Sequence, residues 1–132
     1  MTERRGSCGC GKLTAVCEGE PVRVSICYCH ACQQRTGSAF GVQARFPRER
    51  VQIAGEHRSW TRTGDSGGKA TFHFCPTCAA IVFYELDGAP DFVALPVGVF
   101  ADASFPEPHV AVYEARRAPW LVSPACVTEH WD

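Results

Sequence analysis

The sequence holds no apolar run approaching the ~20 residues that a membrane-crossing helix needs. Its opening stretch, MTERRGSCGCGK, lacks the apolar centre of a secretory signal. Formal charge is −1 at pH 7, so the electrostatic footprint of a nucleic-acid or anionic-membrane binder is missing too. Arg45, Arg48 and Arg50 lie close together, but Glu49 interrupts them, and the group reads as a solvated turn. Internal repeats, low-complexity tracts and linkers are absent. A chain of 132 residues then predicts one domain over 1–132, cytoplasmic, with neither nucleic acid nor membrane as partner.

Long helical patterns are also scarce, and nine spread prolines disfavour them. Period-two alternation takes their place. Phe40, Val42, Ala44 and Phe46 share one side of a segment, with Gly41, Gln43 and Arg45 on the other. Ala70, Phe72 and Phe74 alternate with Lys69, Thr71 and His73, and Val22, Val24 and Ile26 with Arg23 and Ser25. Each pattern predicts a strand with one wet face. Leu13 to Cys17, Val51 to Ala54, Ile81 to Leu86, Phe92 to Leu95 and His109 to Glu114 read as further strands. Pro47, the run Gly64-Asp65-Ser66-Gly67-Gly68 and Asp87-Gly88 supply turns. Only Ala31 to Thr36 reads as a short helix, stopped by Gly37. The class is all-β, one antiparallel domain.

Cysteine is what the chain has in excess. Nine thiols in a reducing compartment point to metal binding. Seven fall into groups: Cys8 with Cys10, Cys27 with Cys29 and Cys32, and Cys75 with Cys78. Cys-x-Cys in extended chain turns both thiols to one side, and Cys-x-x-Cys curls through a tight turn that Pro76 presets. Two pairs make a closed tetrahedral zinc site from Cys8, Cys10, Cys75 and Cys78, which would pin the N-terminus to mid-chain. The remaining trio, Cys27, Cys29 and Cys32, would leave a fourth zinc position open, the pattern of a catalytic site. A rival partition pairs Cys29-x-x-Cys32 with Cys75-x-x-Cys78 as a zinc ribbon. The 42 residues between those pairs exceed the roughly 15–20 usual for ribbons, so the first partition is favoured. Three thiolates on Zn²⁺ carry a net −1. Such a centre acidifies water less than one on neutral imidazoles, and it suits a fourth soft ligand such as a thiol.

The segments SCGCGK, CYCHACQQRTGSAF, FCPTC and PEPHVAVYEARRAPWL resemble the glutathione-dependent formaldehyde-activating family, which includes the centromere protein V type of domain. The resemblance implies a β-tent of stacked antiparallel sheets around two zinc ions. One ion would be structural, on Cys8, Cys10, Cys75 and Cys78, and one would lie at the active site on Cys27, Cys29 and Cys32. It implies a carbon-sulfur lyase type of reaction, joining glutathione to formaldehyde as S-(hydroxymethyl)glutathione. Family members usually follow the last pair with glycine, whereas Ala79 and Ala80 stand here. A local change of turn is therefore expected, without loss of zinc.

Other residues weigh less. His30 is expected to face away from the trio and His73 to be exposed or hydrogen-bonded. Cys17 should pack as a small hydrophobe, and Cys126 should be a free thiol. The turn Thr36-Gly37-Ser38 offers either N–H groups for a carboxylate or a helix stop, and Arg35 either an anion partner or a solvated charge. Trp60, Phe72, Phe83, Tyr84, Phe92 and Trp120 read as core and cleft wall. Two functions follow: a zinc enzyme adding a small thiol to a small aldehyde, or a zinc-stabilised module that carries a thiol or docks a protein. A methionine sulfoxide reductase also uses two Cys-x-x-Cys pairs, but does not account for Cys27 beside Cys29.

Overall fold

Alternation along the chain builds two sheets in the computed structural model, which describes residues 2–64 and 66–132. Met1, and Asp65 from the expected glycine-rich turn, lie outside the described residues. The smaller sheet is antiparallel and joins β1 (Glu3–Ser7), β2 (Thr14–Glu18) and β5 (Val51–Ala54) in the order β1-β2-β5. The larger one holds β3 (Arg23–Cys27), β4 (Gly41–Pro47), β6 (Arg58–Thr63), β7 (Lys69–Phe74), β8 (Ile81–Leu86), β9 (Phe92–Pro96), β10 (Val110–Val112) and β11 (Glu129–Trp131). Its strand order is β11-β10-β3-β4-β9-β8-β7-β6. A single helix, α1 (His30–Thr36), leaves β3 and ends at Gly37 with φ 71°, the left-handed stop expected there.

The main core lies between the sheets. Leu13, Ala15 and Cys17 from the β2 segment meet Ala44 and Phe46 of β4 and Leu95 of β9, all fully buried. Each such large apolar side chain contributes about 1.5–3 kcal/mol by leaving water. Because side chains alternate, residues between these core positions point to the other face of the large sheet. Arg23, Ser25 and Cys27 on β3 and Gln43 and Arg45 on β4 lie there, as does Ala94 on β9. The register of β7 with β8 slips between His73 and Phe74, so that Val82 is the extra residue of a bulge. Val82 and Phe83 both reach the main core, while Tyr84 joins Phe72, Ala70 and Ala94 on the far face.

Five details differ from the sequence reading, the first being that Trp120, expected in the core or cleft wall, is exposed. The large sheet is mixed, not antiparallel throughout: β10 runs parallel to β3, and β11 parallel to β10. The long excursion from Cys27 to Val110 gives room for the crossover that parallel pairing requires. Ser25 is buried and bonded, not on a wet face, because Gln43 Nε2 donates to its Oγ at 3.0 Å. The segment His109 to Glu114 is a strand only as far as Val112, since Tyr113 at φ 57° turns it into a 3-10 turn over Glu114–Arg116. Three strands, β1, β6 and β11, are rich in polar and charged side chains and gave no alternating pattern.

Candidate metal centres and the face beside them

The first cysteine group closes where the small sheet meets the β7–β8 connection. Cys8 begins the turn between β1 and β2, where its N–H donates to Leu13 O at 2.9 Å and its Sγ accepts from Leu13 N at 3.2 Å. Cys75 begins the FCPTC turn. Thr77 N donates to Cys75 Sγ at 3.4 Å, and Ala79 N to Cys75 O at 2.7 Å. These turns bring Cys8, Cys10, Cys75 and Cys78 together with all four sulfurs within 4.8 Å of one another. Sulfurs at tetrahedral corners about 2.3 Å from an ion sit roughly 3.8 Å apart. The Cys8–Cys10 and Cys10–Cys75 separations, 3.7 and 3.6 Å, match that geometry. Burial resists ionisation of Cys8, but the Leu13 N–H and the neighbouring thiols outweigh it and lower this thiol to about 6. Cys10 behaves oppositely: the Lys12 backbone favours its thiolate, yet burial and the Cys75 and Cys8 sulfurs raise it to about 11.

Ala79, where family members usually have glycine, has φ 68°, the left-handed conformation in which glycine is at ease, so its methyl carries a steric cost that glycine would not. Cys75 N still donates to Ala80 O at 3.0 Å, closing the loop.

The second group sits at the end of β3. Cys27 is its last residue, Cys29 is the N-cap of α1, and Cys32 lies in the first turn of that helix. All three are buried, with sulfurs within 4.8 Å of one another. Cys32 N donates to Cys29 Sγ at 3.3 Å, the capping bond that also orients the thiol. Cys32 is lowered to about 5, first by the hydrogen bond from the Cys27 thiol and then by Cys29 and the Arg35 guanidinium. Cys27 is correspondingly pushed up, chiefly by its bond to Cys32 and by burial. Among the described residues, no His, Asp or Glu joins these sulfurs, and His30 is exposed, as expected of a side chain facing away.

Both clusters could thus hold a metal ion, and all-sulfur donors suit zinc. The fold assembles four and three sulfurs, not the ribbon pairing of Cys29 and Cys32 with Cys75 and Cys78. Binding would displace the remaining thiol protons. Cys17 stands apart, fully buried and raised to about 12 by burial alone, while Cys126 is half-buried and unpaired.

Supporting contacts fix the trio from behind. Gln33 Nε2 donates to Tyr28 O at 2.8 Å, and the Tyr28 hydroxyl meets Ser123 Oγ at 3.0 Å. Ser123 donates to Glu114 Oε2 at 2.7 Å, and Glu114 pairs with His130. The turn after the helix is a stop and not an anion site. Gly37 N is spent on Gln33 O and Ser38 N on Thr36 Oγ1, which removes the carboxylate reading of Thr36-Gly37-Ser38.

Sequence reasoning missed what surrounds Cys27. Arg45 is half-buried on the far face of the large sheet, not in a solvated turn, and Arg23 lies directly opposite it in register. A cavity of about 170 Å³ opens there, with Cys27, Gln43 and Tyr84 in its wall. Arg35 lies over the rings of Phe72 and Tyr84, 5.2 and 5.4 Å from their centroids, with one terminal nitrogen 4.0 Å from Cys32 Sγ. A Cβ at Gly41 would come within 3.1 Å of that guanidinium, so glycine keeps its berth open. His73 is hydrogen-bonded, as expected, at 2.7 Å to Glu85, which also takes Arg48 at 2.7 Å. The alternation that defined these faces gave no sign that β8, β9 and β10 would join β3 and β4 in one cavity wall.

A family model described as glutathione-dependent formaldehyde-activating enzyme matches residues 3–116. Among solved structures, a Rhodobacter sphaeroides protein is similar in fold at TM-score 0.56 and 16% identity, over 97% of this chain and 99% of that one. No curated protein sequence matches the chain. No helix among the described residues is long and apolar enough to cross a membrane.

Proposed function

Because the chain belongs to the glutathione-dependent formaldehyde-activating family, we propose that it adds a small thiol such as glutathione to formaldehyde or a similar small aldehyde, with Cys27, Cys29 and Cys32 as the reaction centre. The observation that carries this reading is a buried trio of sulfurs, one of which, Cys27, lines a cavity, with no fourth His, Cys, Asp or Glu beside it among the described residues. Cys27, Cys29 and Cys32 would hold the zinc ion, which would supply Lewis acidity and an affinity for soft thiol ligands. The reaction forms one carbon–sulfur bond and opens the carbonyl π bond. The thiol proton ends on the former carbonyl oxygen, so the adduct is a hydroxymethyl thioether and nothing is oxidised or reduced.

The chain's own residues do the positioning. Cys32 and Arg35 set the local charge: three thiolates on a divalent ion leave −1, and the adjacent guanidinium offsets it. Tyr84, whose phenol is raised by burial, stays protonated and lines the same cavity. It can offer its hydroxyl hydrogen to an oxygen that gains charge as the carbonyl opens. Cys8, Cys10, Cys75 and Cys78 take the structural role, holding β1 and β2 to the β7–β8 turn.

The test is exchange spectroscopy on zinc-loaded protein with glutathione and ¹³C-labelled formaldehyde, since this addition also runs unaided. A faster exchange than in buffer, lost in Cys29→Ser with the fold retained, is the expected result. Thiol ligation without any acceleration would overturn the enzyme and leave a thiol-binding module.

A further inference from the structure

The cavity beside Cys27 has a charge arrangement that the fold alone does not explain. Arg23 and Arg45 are cross-strand partners on β3 and β4, and like charges directly opposite destabilise a sheet. Arg45 is half-buried, and its guanidinium is lowered first by that burial and then by Arg23. None of the ion pairs among the described residues involves Arg23, Arg45 or Arg35. Three buried polar atoms on this face find no hydrogen-bond partner: Arg23 Nε, Arg35 Nε and Gln43 Oε1. Buried groups of this kind are normally satisfied, and an unpaired guanidinium is the costliest to leave. Two planar cationic forks with no anion of their own form a ready receptor for a carboxylate. Leu86, Ala94 and Val112 add an apolar wall that suits the methylene arm of such a molecule.

We propose that this cavity is the carboxylate subsite of the thiol substrate. Arg23 and Arg45 grip the carboxylate of a small acidic thiol while its sulfur reaches the centre at Cys27, Cys29 and Cys32. The proposal rests on the thiol-binding reading above and narrows the substrate class to thiols that carry a carboxylate. Neutral thiols reach the same sulfur position without this hold.

Ligation is read directly on full-length protein loaded with cobalt(II), whose visible absorption responds to a new sulfur ligand. Mercaptopropionate and mercaptoethanol are titrated in parallel. Wild type is expected to hold the acidic thiol about ten-fold more tightly, the scale of one charge-assisted hydrogen bond. Arg23→Gln and Arg45→Gln should each bring that ratio near one while mercaptoethanol affinity stays as it was. The two variants are independent, so misfolding of one leaves the other to decide. A ratio near one in wild type, or an unchanged ratio in the folded variants, overturns the subsite. A second measurement separates it from the parent reading: thermal melting of the zinc-loaded protein in propionate against propionamide. If no thiol moves the cobalt bands, the thiol reading falls and its subsite with it, and a propionate-specific stabilisation lost in Arg45→Gln then marks a carboxylate site without a thiol. If thiols ligate but neither charge nor arginine matters, the thiol reading stands and the subsite falls.

Discussion

Ala79→Gly tests the strain stored in the turn that carries Cys75 and Cys78. Ala79 has φ 68° and is exposed, so its methyl adds little burial to set against the backbone cost. A left-handed alanine costs roughly 1–2 kcal/mol. Glycine removes that cost but loosens the unfolded chain by about 0.4–1 kcal/mol. The net gain is about 0.5–1 kcal/mol. For a chain of 132 residues, unfolding entropy near 2.1 cal/mol/K per residue converts this to a rise of about 2–4 °C in Tm. Calorimetry at saturating zinc is the assay, because metal occupancy itself moves Tm. Ala80→Gly is the control. Ala80 is half-buried against the main core and is not among the residues with positive φ, so the same change there should lower Tm. If the two substitutions shift Tm in the same direction, the strain argument is refuted.

Cys75→Ser should abolish cooperative folding, since structural zinc in small domains contributes on the order of 10 kcal/mol, whereas Cys29→Ser should remain folded by circular dichroism and lose one metal equivalent. Gly41→Ala should displace Arg35, because a Cβ would lie 3.1 Å from the guanidinium; a folded protein with a weakened response of its cobalt bands to thiols is the expected outcome. Glu114 is held below the usual carboxylate range, first by its bond with His130 and then by Ser123. A depressed folded value gives stability that is present above the unfolded value near 4.3 and lost as pH falls through the lower folded one. Glu114→Gln should therefore flatten the acid limb of stability in denaturant titrations as pH falls below the unfolded value near 4.3. In a thiol-labelling time course, Cys126 should react while Cys17, fully buried and raised to about 12, stays unmodified until unfolding.

The cysteines were legible because metal geometry constrains spacing locally. Cys-x-Cys and Cys-x-x-Cys each declare a shape within four residues, and the two sulfur clusters need only the right turns to meet. The central strands were legible for the same reason: Ala44 and Phe46 read as core because alternation over a few residues reports a face. What alternation cannot report is which face another layer covers. Arg23, Ser25, Gln43 and Arg45 look like the wet side of two strands, and they became a cavity wall because Tyr84 and Leu86 of β8, Ala94 of β9 and Val112 of β10 line the same space. Burial there is a property of strands far apart in sequence, and no local pattern encodes it. The same limit hid β1, β6 and β11, whose polar side chains lie in strands held by backbone pairing more than by an apolar face. Sulfur spacing therefore marks where chemistry can occur, while the choice of substrate rests with charges that acquire their meaning only after the sheet has closed around them.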